Sequence, residues 1–189
     1  VKIAPFAYLK IGWIYEDRLK QYQNAIEAYK LIIKEFSDYQ TEEYIEYPAI
    51  TAHFRIVRIY YEYLGDIKQA INELQNIYNT WHNKTFIDLT VKEGCDEVRE
   101  SRAEAVLQLA RLYVREMDYK KSLNYYNILL KEYYNSSYGV DQSESCGTYG
   151  EKDISEILDV YVAWQNYKNA IKELKKIIPS FVETSSFAK

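Results

Sequence analysis

Apolar residues recur along this chain at the spacing of one helix face. In Ala25–Phe36 they fall at Ala25, Ile26, Tyr29, Ile32, Ile33 and Phe36. That three-and-four rhythm predicts an amphipathic α-helix. Ala70–Tyr78 repeats it with Ala70, Ile71, Leu74 and Ile77. Ser122–Tyr133 and Ala170–Ile178 do so again, and each of the four is preceded by a short turn and another apolar helix. The turns read DRLKQYQN, YLGDIKQ, REMDYKK and WQNYKN. The pattern predicts an all-α chain of four antiparallel helix pairs.

The four pairs are in register. The first has Tyr8, Ile11-Gly12 and Tyr15, then Ala25 and Tyr29. The second has His53, Ile56-Val57 and Tyr60, then Ala70 and Leu74. The third has Val106, Leu109-Ala110 and Tyr113, then Ser122 and Tyr126, and the fourth has Ile154, Ile157-Leu158 and Tyr161, then Ala170 and Leu174. This series resembles the tetratricopeptide repeat (TPR) family over nearly the whole length. A small residue in the second helix suits two helix backbones that cross closely. The expected closing proline is missing from the register, with Pro179 three residues early. The resemblance implies a TPR-like solenoid of helix pairs.

The copies are widely spaced. Ala25 to Ala70 is 45 residues, Ala70 to Ser122 is 52, and Ser122 to Ala170 is 48, against about 34 for a standard unit. The expected repeats are residues 3–36, 50–79, 101–133 and 153–179, in a single array over residues 1–189. Long loops at 37–49, 80–100 and 134–152 take the surplus, part of it as lengthened helices. Long loops in a compact domain are commonly functional. The loop tyrosines Tyr39, Tyr44, Tyr47, Tyr138 and Tyr149 are not expected in the core.

Two loops carry the same contents. Asn83 and Asn135 open Asn-x-Ser/Thr sequons, each 13 residues after the small residue of its repeat. Cys95 and Cys146 follow at 25 and 24 residues. The asparagines are candidate N-glycosylation sites, or helix C-termini. The cysteines are either free thiols or a bridge between neighbouring loops. A bridge closing about 50 residues is worth roughly 4 kcal/mol and belongs in an oxidising compartment. These loops point to an extracytoplasmic site: periplasm, cell surface or secretion. A zinc site from His82, Cys95, Asp96 and Cys146 matches no common ligand spacing.

In the TPR family, peptide partners usually lie in the groove lined by the first helices. Carrying those positions across gives Phe6, Leu9, Trp13 and Asp17, then Phe54, Arg58, Tyr61 and Glu62. The third repeat gives Leu107, Arg111, Val114 and Arg115, and the fourth Asp159, Val162 and Ala163. The resemblance thus implies a basic strip of Arg58, Arg111 and Arg115 with an aromatic end at Trp13. The strip either accepts an acidic, aromatic-containing segment or pairs with Glu62, Glu104 and Glu116. The Lys/Asn clamp that some members use for chaperone tails is absent from these positions.

The two ends differ. The first helix, IAPFAYLKIGWIYEDRL, is apolar almost all round, and such a helix is normally buried on several sides. The last has one apolar stripe and a back of Lys168, Lys172, Lys175 and Lys176, as solenoid caps do. The apolar end is expected to meet a further repeat upstream, a partner or another copy of the chain. The sequence opens on Val1 rather than Met, which is compatible with a removed leader.

Composition narrows the function. A net charge of −4 offers no basic face for nucleic acid. No apolar run approaches the roughly 20 residues that span a bilayer. Tyrosine stands out at 21 residues, and its ring and polar tip suit half-wet interfaces. The motifs for phosphate, dinucleotide or zinc-protease chemistry are missing, so neither cofactor nor catalysis is expected. The expected role is a non-catalytic interaction scaffold with a protein or peptide partner. The alternative is a self-assembling structural subunit of an extracellular filament, with glycosylated loops.

Overall fold

A computed structural model describes residues 3–37, 39, 47–82, 97–134, 151–169, 171, 172 and 175. The sequons at Asn83 and Asn135, the cysteines Cys95 and Cys146, and Tyr44, Tyr138 and Tyr149 lie outside them. Among the described residues the regular structure is helical, with no strand.

The helices are α1 (Ala4–Trp13), α2 (Tyr22–Glu35), α3 (Pro48–Arg58), α4 (Ile67–His82), α5 (Glu97–Arg115), α6 (Tyr119–Ile128) and α7 (Glu151–Ala163). Residues 167–169, 171, 172 and 175 continue helically after α7. Each helix packs chiefly on its neighbours in the chain, and α1 also meets α3. That is the contact order of pairs stepping along a line. The first and second helices of each pair are called A and B below.

The core divides into three clusters, each straddling one seam between repeats. Ala25, Ile26, Tyr29 and Ile32 of α2 meet Ala52 and Ile56 of α3. Ala70, Leu74 and Ile77 of α4 meet Ala105, Leu109 and Leu112 of α5. Leu123 and Tyr126 of α6 meet Ile157, Val160 and Tyr161 of α7. The small residues of the B helices, Ala25, Ala70 and Ser122, are all fully buried, as close crossing demands. At Gly12 the approach is tightest: a Cβ there would run into the Tyr29 ring.

The A-to-B turns share one design. Each A helix ends on a residue of left-handed backbone: Lys20, Gly65, Met117 or Gln165. The next residue starts the B helix, and in two repeats its side chain caps it. Asp66 Oδ1 accepts from the Gln69 amide at 3.0 Å, and Asp118 Oδ1 from the Lys121 amide at 3.2 Å. Such caps satisfy amides that a helix start leaves unpaired.

Repeats one and two depart from repeats three and four in one respect. Their A helices end in a wide π-turn, at Ile14–Arg18 and Ile59–Tyr63. The cause is one extra residue. Ile11 to Ala25 and Ile56 to Ala70 span 14 positions, whereas Leu109 to Ser122 and Ile157 to Ala170 span 13. A π-turn absorbs an inserted residue without breaking the helix. A third π-turn, Leu129–Tyr134, extends α6.

Part of the inter-repeat surplus is helix: α4 runs on to His82, α5 starts at Glu97 and α7 at Glu151. The expectation that loop tyrosines lie outside the core fails at Tyr47, which is 1% exposed and among the largest fully buried side chains. It immediately precedes Pro48 at the start of α3, so it belongs to a helix entry that packs on the middle cluster. Tyr39 is half-buried and sits edge-on to Phe6 at 6.4 Å.

Candidate functional site

The A helices place the expected inner-face residues in several different environments. Leu9, Phe54, Tyr61 and Val114 are half-buried against the core clusters, and Leu107 is buried within one. Phe6 meets Tyr39. Asp17 lies 3.5 Å from Arg18. In the fourth repeat Asp159, Val162 and Ala163 are exposed.

Two aromatic rings of this face carry cations. Lys10 Nζ lies 4.1 Å from the Trp13 ring centroid and the Arg18 guanidinium 5.1 Å from it. Arg115, from α5, lies 5.0 Å from the ring of Tyr61, which is in the turn that ends α3. An ammonium or guanidinium over a ring face is held by the ring quadrupole. It keeps its full positive charge there, which a carboxylate partner would offset.

Arg58 and Arg111 behave differently. Arg58 donates from Nε and Nη2 to Glu16 Oε1, at 3.0 and 2.5 Å. Glu16 is fully buried, and its Oε2 accepts from the Tyr29 hydroxyl at 2.7 Å. Arg55 Nη1 approaches the same oxygen at 3.7 Å. Arg111 grips Glu156 with both arms, Nε to Oε2 at 2.9 Å and Nη2 to Oε1 at 2.6 Å. Glu156 Oε2 also accepts from the Tyr126 hydroxyl at 2.8 Å. Two Arg-Glu-Tyr triads therefore tie repeat one to two and repeat three to four.

The triads are built alike but with opposite polarity. Tyr29 and Tyr126 hold the same place, four residues after the small residue of the B helix. At the first seam the earlier A helix supplies the acid and the later one the arginine. At the third seam the order is reversed. The chemistry is charge-assisted hydrogen bonding, bidentate to both oxygens for Arg111 and to a single oxygen for Arg58. Burial alone would lower the Arg58 pKa, but the hydrogen bonds and charge of Glu16 outweigh it and leave it above the ordinary value. The hydrogen bonds that Arg111 donates to Glu156 likewise hold its pKa up against the cost of burial. Burial pushes the Tyr29 phenol well up, and its hydrogen bond to Glu16 and the nearby negative charge add to this.

Arg58 does pair with Glu62 as expected from the sequence, but the closest partners of Arg58 and Arg111 are Glu16 and Glu156, which the sequence does not suggest. Glu62 is only a looser neighbour of Arg58, at 3.9 Å, and Glu104 accepts instead from Gln108 at 2.8 Å. The reason is reach: side chains of adjacent A helices face each other across the seam. The functional residues that sequence reasoning missed are Glu16, Glu156 and the hydroxyls of Tyr29 and Tyr126. The shared register of the two tyrosines was the available signal. His53, at the aromatic position of repeat two, is buried against Glu73 with Nδ1 2.5 Å from its Oε1.

Among the described residues no group of three or more His, Cys, Asp or Glu side chains is placed to hold a metal ion, and no helix is long and apolar enough to cross a membrane. Residues 6–39 and 104–136 match the family model described as tetratricopeptide repeat. No curated protein matches the chain. The two matched segments cover the first and third helix pairs, and α3 with α4 repeats their architecture. Tetratricopeptide repeats serve protein–protein interaction and are generally non-catalytic. Those two segments are similar to tetratricopeptide repeats, and they sit in an all-α array of helix pairs.

Proposed function

We propose that the chain is a non-catalytic scaffold that binds an acidic, aromatic-containing peptide segment along the face formed by α1, α3 and α5, outside the cytoplasm. The observation that carries this reading is the cation over ring pairing of Arg115 with Tyr61, across neighbouring A helices. Trp13 with Lys10 and Arg18 repeats the device at the other end of the face. Arg58 and Arg111 are engaged by Glu16 and Glu156 and Arg18 is shared with Asp17, so the recognition of acid falls chiefly to Lys10 and Arg115. The extracytoplasmic part rests on the sequons at Asn83 and Asn135 and on Cys95 and Cys146.

A fluorescence-anisotropy screen of acidic, aromatic peptides against the wild type and two variants tests the binding reading. Trp13→Ala and Arg115→Glu should each weaken the best binder by about tenfold, or 1.4 kcal/mol. Binding that ignores both substitutions contradicts it. Intact mass of native material, with and without reductant, tests the compartment: added hexose mass and a two-proton change support it, and bare, reduced chain contradicts it.

A second reading, assembly through the first helix, is supported by the exposure of Ile3, Ile11 and Ile14 along α1 and the turn after it. Light scattering at high concentration should then show multimers that Ile11→Lys dissolves. A monomer under those conditions contradicts this reading.

A further inference from the structure

The three seams do not close alike at the edge where the short A-to-B turns lie. At the first seam Tyr22, which starts α2, stacks on Tyr63, with ring centroids 4.7 Å apart and planes at 9°. At the third seam Tyr119, which starts α6, stacks on Trp164, at 6.4 Å and 27°. The positions correspond. Tyr22 and Tyr119 lie three residues before Ala25 and Ser122, and Tyr63 and Trp164 lie three residues after Tyr60 and Tyr161. At the second seam the same two positions are Ile67 and Glu116. No aromatic pair forms there. Instead a cavity of about 400 Å³ opens, lined among others by Lys68, Ile71, Tyr113, Glu116, Asp118 and Lys121.

We propose that this notch is a docking pocket for a tyrosine or tryptophan side chain of a partner protein, which completes the aromatic closure that the other two seams make for themselves. Its chemistry fits such a ring. Ile71 supplies an apolar floor. Lys68 and Lys121 bring two ammonium groups, which ring faces attract. Lys121 Nζ already lies 5.1 Å from the Tyr113 ring centroid and 2.9 Å from Asp118 Oδ2. Glu116 is an acceptor for a phenol O–H or an indole N–H, which phenylalanine and leucine lack, while Asp118 holds Lys121 in place through its amide and its ammonium. Tyr113 is braced behind the pocket: it stacks on Tyr125 at 5.5 Å, and the Gln75 amide reaches both hydroxyls at 3.3 Å. The wall is therefore preformed, which lowers the ordering cost of binding. The pocket belongs to the turn edge and does not depend on the peptide reading of the inner face.

An NMR titration of the full chain tests the pocket, with N-acetyl-L-tryptophanamide, N-acetyl-L-tyrosinamide and N-acetyl-L-leucinamide as probes. The aromatic probes should give saturable shifts at Ile71, Asn72 and Tyr113, with the leucine probe at least about fivefold weaker. Glu116→Trp places in repeat three the residue type found at the matching position of repeat four. It should weaken the aromatic probes at least about tenfold and leave the melting temperature equal or higher. Equal binding of the leucine probe, unchanged binding in Glu116→Trp, no saturable shifts, or shifts centred on Trp13 and Tyr61 would each overturn the proposal.

Discussion

Arg58 and Glu16 lie 42 residues apart in the chain, yet the guanidinium of one places two nitrogens on a single carboxylate oxygen of the other. The acid is wholly buried and the arginine is about a third exposed. Arg58→Leu leaves a buried carboxylate short of its main partner. Full breakage of a buried pair costs about 3–5 kcal/mol. Here the expected loss is about 2 kcal/mol, because Arg58 is partly solvated and Arg55 stays within 3.7 Å. Adding Glu16→Leu should recover part of that loss. Urea denaturation of the single and double variants measures both.

Tyr29 makes the first seam sensitive to alkali. Its phenol stays protonated in the folded chain well beyond the ordinary value of 10.0. Below that value both states hold the proton and the contribution is whole. Above it the unfolded chain ionises first, so stability falls as pH rises, by up to about 1.4 kcal/mol per pH unit. Tyr29→Phe should remove that increment from the slope of unfolding free energy between pH 10 and 11.

Two glycines separate steric from conformational cost. Gly12→Ala drives a methyl into the Tyr29 ring and should destabilise by about 2–3 kcal/mol, as overpacking does. Gly65→Ala meets nothing within 4 Å, but its φ of +64° should cost about 1 kcal/mol. Shrinking Tyr29 to leucine should relieve the first variant and leave the second unchanged in thermal melts.

Ser122 is the one small crossing residue among the described B helices with a hydroxyl, and that hydroxyl is buried without a hydrogen-bond partner. Ala25 and Ala70 fill the same place in their repeats. Ser122→Ala should therefore stabilise the chain by about 1 kcal/mol, read as a higher midpoint in urea.

These residues also mark how far the fold was legible in the sequence. The crossing positions Ala25, Ala70 and Ser122 follow from local periodicity, and all three are buried as that predicts. The extra residue behind each π-turn is visible as a spacing of 14 against 13, although spacing alone does not say which turn widens. Tyr47 falls in the surplus between repeats and so reads as loop, yet Pro48 begins α3 and Tyr47 is buried in the core. The triads were the least legible. Glu16 reads as a polar residue ending an apolar helix, and its partner is set by how two A helices lie side by side, which no local pattern encodes. The basic strip expected of Arg58, Arg111 and Arg115 therefore divides, with two partly exposed arginines tied to Glu16 and Glu156 and Arg115 over Tyr61.

The order of the helices is what everything else depends on, and side-chain nuclear Overhauser effects read it directly. Stacking in chain order predicts ring-to-ring effects between Tyr22 and Tyr63 and between Tyr119 and Trp164, with methyl effects linking Leu74 to Leu109. Effects that join α1 to α5 or α7, such as Ile11 to Leu109 or to Val160, would mean helices gathered about a common axis and would contradict the array.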